Sequence, residues 1–416
     1  MRPPAGGQGL VVQKYGGTSV ASAELIRSVA QRICRAQADG RQVVAVVSAM
    51  GDTTDRLLAL AREVSDRPNP RELDLLQSTG ETVAVTLVAM AIEALGTPAI
   101  SLTGGQAGIR TSALHGRARI EGVDTRRLHR ELDAGNVVVV AGFQGVTEEM
   151  DVTTFGRGGS NITAVALAAA LKADLVENYT DVEGIYTADP RLEPRARRLR
   201  DISYQEMMEL ATWGAQVMHP RAVELAALYN VPVLVASSFS EAPGTLIHSE
   251  VTMEDVNRLR GIAADASIAK ITVLGVPDRP GIAAALFEPL AAAGISVDVI
   301  VQNASVERVT DLTFTVARGD LNTSLETVRP VAKGMGALDV ISDATVAKVS
   351  AVGTGMQNAP GYAARMFRAL AAAGINIEMI TTSEIRITCI VAESQLKQAV
   401  RVLHEVFDLE SEAAPL

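Results

Sequence analysis

The first part of the chain alternates between two hydrophobic periods. LVVQKY (10–15), QVVAVV (42–47), NVVVVAG (136–142) and VPVLVA (231–236) are apolar runs, several of them closed by Gly, Ser or Asn. Runs that are apolar on both faces predict strands in a sheet covered on both sides. ADLVENYTD (173–181) adds another strand of this kind. Between these runs the spacing becomes helical. In Ala23–Ala38 the apolar positions Leu25, Ile26, Val29 and Ile33 share a face, and Ser22 is placed to cap the helix. Ser160–Leu171 (SNITAVALAAAL) predicts a second helix. The alternation implies one α/β sandwich over residues 10–248.

Residues 249–265 (SEVTMEDVNRLRGIAAD) are more polar and read as a connector. An internal repeat follows. VPDRPGIAAALFEPLAAAGISVDVI returns as MQNAPGYAARMFRALAAAGINIEMI, so that Pro280 matches Pro360, Phe287 matches Phe367, Gly294 matches Gly374 and Asp298 matches Glu378, each 80 residues on. Each copy reads strand, Pro-Gly loop, helix, Gly stop, strand, with Gly294 and Gly374 where a helix ends in a left-handed residue. The repeats occupy 266–345 and 346–410.

Composition narrows the functional classes. The net charge of −10 disfavours nucleic-acid backbones, and the basic stretch RLEPRARRLR (191–200), which lacks aromatics, reads as a solvated loop. Aromatics make up 3% of residues, so packing rests on Ala, Val, Leu and Ile. Cys34 and Cys389 stand far apart and the five histidines lack ligand spacing, which predicts neither a disulfide framework nor a protein-held metal. His219 reads as structural. No apolar run approaches the roughly 18 residues of a membrane span, and MRPPAGGQG reads as a short lead without a signal-peptide core, so no membrane partner and a cytoplasmic location are expected.

Two glycine-rich turns carry candidate chemistry. Lys14-Tyr15-Gly16-Gly17-Thr18-Ser19 follows a strand and precedes a helix, where backbone N–H groups and a lysine can hold a polyphosphate. It is not a Walker loop. Gly156-Arg157-Gly158-Gly159-Ser160-Asn161 opens a second helix and suits an anionic acceptor. The turn-rich stretch from Tyr179 to Arg191 (YTDVEGIYTADPR) could cradle a nucleoside.

QKYGGTS, SAMGDTTD, TGE, AGFQG, GRGGS, YTDVEGIYTADPR and TSEIRI, in this order over residues 10–410, resemble the aspartate kinase family, in its bacterial form with two regulatory ACT domains. That resemblance implies an amino-acid kinase three-layer sandwich followed by two ACT-type α+β repeats. It implies ATP-dependent phosphorylation of the aspartate side-chain carboxylate, with Mg as cofactor, towards lysine, threonine and methionine. Lys14, Tyr15, Gly16 and Gly17 would meet the ATP phosphates, with Tyr179, Thr180, Asp181, Ile185, Tyr186, Asp189 and Pro190 around the nucleotide. Thr54, Glu81, Arg157, Gly158, Gly159 and Ser160 would hold aspartate, with Lys14 and Asn161 at the reaction centre.

The family's GRGGSD is GRGGSN here, so Asn161 stands where an Asp is usual. The nucleophile is a carboxylate already ionised at neutral pH, which leaves residue 161 an orienting role that Asn can fill. In the first repeat Ser296 replaces an Asn that the second keeps as Asn376. Threonine, lysine or both are the implied effectors, at Asp278, Ala283, Ser296, Asp298, Gln302, Tyr362, Ala363, Asn376, Ile377, Ser383 and Glu384. A homo-oligomer, or a hetero-oligomer with a regulatory fragment started at Met253, is also implied. Two other readings stay open: a kinase for another acidic amino acid, and a catalytically silent amino-acid sensor.

Overall fold

A computed structural model describes residues 9–214, 217–249, 259–303, 309–356 and 360–411. The N-terminal lead, Met253 with most of the connector, and Ala359 of the second Pro-Gly loop lie outside the described residues. The chain forms two compact units. The first holds residues up to Ile185, Arg198–Thr212 and Gln216–Thr252; the second holds Tyr186–Arg197, Trp213–Ala215 and everything from Met253.

The first unit contains strands β1 (Leu10–Tyr15), β2 (Gln42–Val47), β3 (Ala99–Leu102), β4 (Ile109–Thr111), β5 (Ile120–Val123), β6 (Val137–Ala141), β7 (Gln144–Val146), β8 (Val152–Thr154), β9 (Leu175–Thr180), β10 (Asp201–Ser203), β11 (Val233–Ser237) and β12 (Thr245–His248). Its helices are α1 (Ala23–Ala38), α2 (Thr53–Val64), α3 (Pro70–Glu93), α4 (Arg126–Asp133), α5 (Gly159–Leu171), α6 (Tyr204–Trp213, the last residue belonging to the second unit) and α7 (Pro220–Leu228). Eight strands form one sheet in the order β10-β12-β11-β9-β1-β2-β6-β3, and β11, β9, β1, β2 and β6 run parallel. A smaller sheet, β5-β4-β7-β8, stands apart from it.

Alternation along the parallel strands loads both faces of the large sheet. Val11, Tyr15, Val43, Ala45, Val47, Val137 and Val139 pack with Ile26, Val29 and Ile33 of α1 and Ala84, Val88 and Ile92 of α3. The intervening Val12, Val44, Val46, Val138 and Val140 are equally buried, on the face that α5 covers. Helix α1 has the expected bounds, and Ser22 accepts a hydrogen bond from Leu25 N–H at 3.3 Å. By length and composition α3 could cross a membrane, a feature that a search for uninterrupted apolar runs passes over. Its inner side buries Asp74, Gln77, Ser78 and Glu81 together with Ala84, Val85, Val88, Ala89 and Ile92, as a helix of this unit's core.

The second unit contains β13 (Gly261–Asp265), β14 (Ile268–Pro277), β15 (Val297–Gln302), β16 (Val309–Ala317), β17 (Asp339–Asp343), β18 (Val346–Val352), β19 (Met379–Ser383) and β20 (Arg386–Ala392), with α8 (Ile282–Ala292), α9 (Leu321–Met335), α10 (Tyr362–Ala372) and α11 (Leu396–Val406). The repeats form two four-stranded sheets, β15-β16-β14-β17 and β13-β18-β20-β19. Gly294 and Gly374 adopt φ of 72° and 70°, as their place after each helix requires. One expectation is corrected: residues 261–265, read as connector, form β13, antiparallel to β18 from Gly261↔Val352 to Asp265↔Lys348. The second repeat therefore takes a strand from ahead of the first. A short run of Gly, Ile and Ala has no period of its own, and its partner lies far along the chain.

Two segments from within the α/β sequence belong to this unit. Tyr186–Arg197 places Ala188, Leu192 and Ala196 in a core with Ile262, Val349, Leu370, Ala399 and Leu403. Ile262 N–H donates to the Thr187 carbonyl at 2.7 Å, and Thr187 Oγ1 lies 2.9 Å from His404 Nε2. Trp213 has the Arg386 guanidinium 3.6 Å and the Lys348 ammonium 4.7 Å from its ring centre.

Candidate active site

The six strands β11, β9, β1, β2, β6 and β3 of the large sheet run parallel and end at one edge, the usual place for a ligand in an open α/β sheet. Backbone hydrogen bonds tie the turns there together. Gly16 N–H donates to the Tyr179 carbonyl at 3.3 Å, Gly51 N–H to Gly17 at 3.0 Å, Gly142 N–H to Val47 at 3.0 Å and Ser238 N–H to Thr180 at 2.8 Å. A Cβ on Gly17 would fall 2.8 Å from the Ala49 carbonyl, so the first glycine-rich turn and the β2 turn can lie this close only with glycine there.

Strand alternation sorts the predicted residues between the faces. Lys14 pairs across the ladder with Asn178, and both belong to the α5 face. Burial lowers the Lys14 pKa to about 8, and the nearby Asp181 charge opposes that shift. Tyr15 and Tyr179, expected beside the nucleotide, turn their rings to the opposite face. They stack there at 5.1 Å, with Arg32 above Tyr179, and the Tyr179 hydroxyl donates to Glu177 at 3.1 Å. Period 2 makes this unavoidable once Lys14 faces α5, so only the backbone of the two tyrosines reaches the turn edge. Ile185 is buried as well, its N–H donating to Thr245 Oγ1 at 2.9 Å. Thr180 and Asp181 remain at the edge, joined by a 3.1 Å hydrogen bond. Tyr186, Asp189 and Pro190 belong to the second unit, where Asp189 pairs with Arg191 at 2.7 Å.

The second glycine-rich turn opens α5. Gly158 has φ of 72°, and a Cβ there would lie 2.3 Å from that of His219. His219 caps α7 by accepting from Arg221 N–H at 3.3 Å, and burial, with Arg221 adding, lowers its pKa. That cap is the structural role the residue fills here. Gly159 and Ser160 are buried, and the Ser48 hydroxyl donates to Ser160 Oγ at 2.9 Å. Arg157 is exposed between two left-handed glycines. Asn161 is buried, and its Nδ2 approaches the Met218 sulfur at 3.8 Å.

Glu81 comes from α3 and is 3% exposed. Oε1 accepts from Ala49 N–H at 3.2 Å, while Oε2 is buried without a partner. Desolvation raises its pKa to about 7 against those backbone hydrogen bonds. A carboxylate half-satisfied in this way fits an arriving cation, such as a substrate ammonium. Thr54, in the first turn of α2, is half-buried.

Several contributors escaped sequence reasoning. Asn178 and Met218 belong to no motif, and Ser48, though it opens SAMGDTTD, was given no role. Asp74 accepts from the Gly116 and Thr154 N–H groups and from Thr154 Oγ1, so that α3 is clamped to β8. Its signal was a carboxylate one turn ahead of the TGE motif on a helix that otherwise reads as core. Among the described residues no group of three or more His, Cys, Asp or Glu is arranged to hold a metal.

In each repeat of the second unit the effector candidates fall at two ends. Asp278 and Gln302 lie towards the end of β14 and β15 that meets the start of β16, with Ala283 in the first turn of α8, whereas Ser296 and Asp298 lie at the opposite end of β15. Tyr362 and Ala363 start α10, Ser383 and Glu384 lie at the β19–β20 hairpin, and Asn376 and Ile377 lie beyond the other end of α10. Asp298 is already the acceptor of Lys348 at 2.6 Å.

Comparison with known proteins fits this division. Residues 9–237 match the amino acid kinase family, and residues 270–332 and 349–407 each match an ACT domain. An aspartate kinase of Stutzerimonas stutzeri is 50% identical over 97% of this chain and 98% of its own length. An aspartokinase of Mycolicibacterium smegmatis is 52% identical over 96% of both chains. Among solved structures, E. coli aspartokinase III in complex with aspartate and ADP is similar at a TM-score of 0.81 and 28% identity, covering 96% of this chain and 100% of that one. The same enzyme with lysine and aspartate gives 0.74 over 96% and 99%.

Proposed function

The chain belongs to the aspartokinases of the amino acid kinase family, and on that premise we propose that it transfers the γ-phosphoryl group of ATP to the side-chain carboxylate of aspartate at the edge where Lys14, Ser160, Asn161 and Glu81 come together. The observation that carries the assignment of roles is the pair of mismatched buried charges. Lys14 is a desolvated cation with only Asp181 to offset it, and Glu81 is a desolvated carboxyl with one oxygen unpaired. A polyphosphate answers the first and an α-ammonium the second.

Lys14 and the N–H groups of the Gly16–Gly17 turn neutralise the donor phosphates. Arg157 takes a substrate carboxylate in a two-point grip, and Ser160 and Thr54 orient the acceptor beside it. The aspartate carboxylate is ionised and attacks without a base: its oxygen bonds to the γ-phosphorus as the bond to the ADP oxygen breaks. Positioning and charge neutralisation then supply the rate. Asn161 orients by hydrogen bonding and takes up no proton. Magnesium bound with ATP would supply further neutralisation of the charge that develops on the phosphates.

The product opens the route to lysine, threonine and methionine in the cytoplasm, and the ACT repeats take threonine or lysine as feedback effectors in an oligomer. A coupled phosphoryl-transfer assay with aspartate and with glutamate tests the reading. Turnover with aspartate that greatly exceeds turnover with glutamate is expected. Turnover with neither, or a preference for glutamate, overturns it.

A further inference from the structure

Asn178 has no part in the chemistry described so far, yet its surroundings are those of a working residue. It lies on β9 and is 2% exposed. Its Nδ2 donates to the Met218 sulfur at 3.1 Å, and the same sulfur receives Asn161 Nδ2 at 3.8 Å. Its Oδ1 is buried with no hydrogen-bond partner. A buried carbonyl left unpaired is unfavourable, and an apolar side chain like that of Val176, two residues earlier on the same face of the strand, would avoid that. Across the β1–β9 ladder its partner is Lys14, on the same face and on a strand about 4.8 Å away.

We propose that Asn178 is a further positioning residue for phosphoryl transfer: through the shared Met218 sulfur it sets the Asn161 carboxamide, and its oxygen, unpaired in the unliganded protein, accepts a hydrogen bond from the Lys14 ammonium when that lysine engages the phosphates. The thioether is a weak acceptor on a flexible stem, so it holds two amides while leaving the Asn178 oxygen uncommitted. The inference rests on the reading of Lys14 as the phosphate lysine.

The test uses the full chain and three variants. Asn178→Leu keeps the volume and removes the oxygen. Its turnover should fall at least about tenfold, with the KM for aspartate held within about twofold and the thermal midpoint unchanged or higher, because an unpaired polar group has gone. Asn178→Asp keeps shape and acceptor while adding a negative charge beside Lys14. Asp181 is the other charge that Lys14 feels. The high-pH fall of kcat/KM for ATP should therefore move upwards in this variant. Turnover of Asn178→Leu within about twofold of the parent overturns the inference. So does a loss of turnover that tracks a fall in the midpoint, which marks a purely structural role, and so does a high-pH limb that Asn178→Asp leaves in place. Should Asn178→Leu fail to fold, the Asn178→Asp profile decides. Lys14→Ala separates the two levels: if it retains turnover, the phosphate-site reading falls and this inference with it. If it is inactive while Asn178→Leu is normal, this inference alone falls.

Discussion

Lys348 of the second repeat donates to Asp298 of the first at 2.6 Å, and the exchange is reciprocal, because Lys270 of the first repeat is paired with Glu378 of the second. Asp298 and Glu378 occupy matching positions 80 residues apart. The two repeats therefore meet as a pseudo-symmetric pair, each lending a lysine from its long strand to the other's acid. Lys348 is the more deeply placed, with 5% of its side chain exposed and Asp265 at 3.4 Å as a second acceptor.

Breaking this pair leaves a buried ammonium short of a partner. Asp298→Ala should destabilise the second unit by about 1–3 kcal/mol, the remaining Asp265 limiting the loss. Lys348→Met, which removes the charge but keeps the stem, should be better tolerated. Denaturation midpoints of both variants and of the double variant check this. Additive effects would mean that the pair is not coupled.

Lys14→Ala should lower turnover by roughly 10²–10³ with little loss of folding, since the side chain acts through charge. With its pKa at about 8, the lysine is charged below that pH and neutral above it. In the parent protein, kcat/KM for ATP should accordingly fall as pH rises through about 8. A flat profile to pH 9.5 would separate Lys14 from the phosphates.

Glu81 carries the opposite sign. Its folded pKa of about 7 lies above the ordinary 4.5, so between these values the native state holds a proton that the unfolded state has released. Stability should fall as pH rises across that window, and Glu81→Gln should remove the fall, worth roughly 3 kcal/mol at pH 8. The same variant should raise the KM for aspartate sharply. Urea titrations at pH 5 and pH 8, with kinetics alongside, read both effects.

Arg157→Lys keeps the charge and loses the planar fork, so it should weaken aspartate more than ATP. Equal changes in both apparent affinities would remove Arg157 from the acceptor side.

Asn376→Ala should leave uninhibited turnover nearly intact while raising the threonine or lysine concentration needed for inhibition, within an allosteric coupling of about 1–3 kcal/mol. Titrations of both proteins with each amino acid, and with the two together, provide the measurement. Superimposable inhibition curves would exclude Asn376 from the effector site.

What could be read from the residues alone was local or periodic. Helix α1 was bounded correctly because its apolar spacing and Ser22 lie within one short window. The repeats were visible because a whole strand-helix-strand unit recurs in register. The direction of the Tyr15 and Tyr179 rings is lost when a motif is read as a string, although strand alternation already divides the Lys14 side chain from the Tyr15 ring. The partnership of Asn161, Asn178 and Met218 joins residues 17 to 57 positions apart, and β13 finds β18 across the whole first repeat. No local pattern encodes pairings of that range. The Tyr186–Arg197 segment looked like a polar loop because only Ala188, Leu192 and Ala196 enter its core.

Trp213 is the only tryptophan in the sequence, and its ring sits beside two fixed positive charges, one of them tied to Asp298. Indole emission responds to the field of nearby charges. The protein thus has a native optical probe in its repeats, one that needs no label. A shift in its emission when threonine or lysine is added, or when Asp298 is replaced, would follow the arrangement of the repeats directly, with no phosphoryl transfer required for the signal.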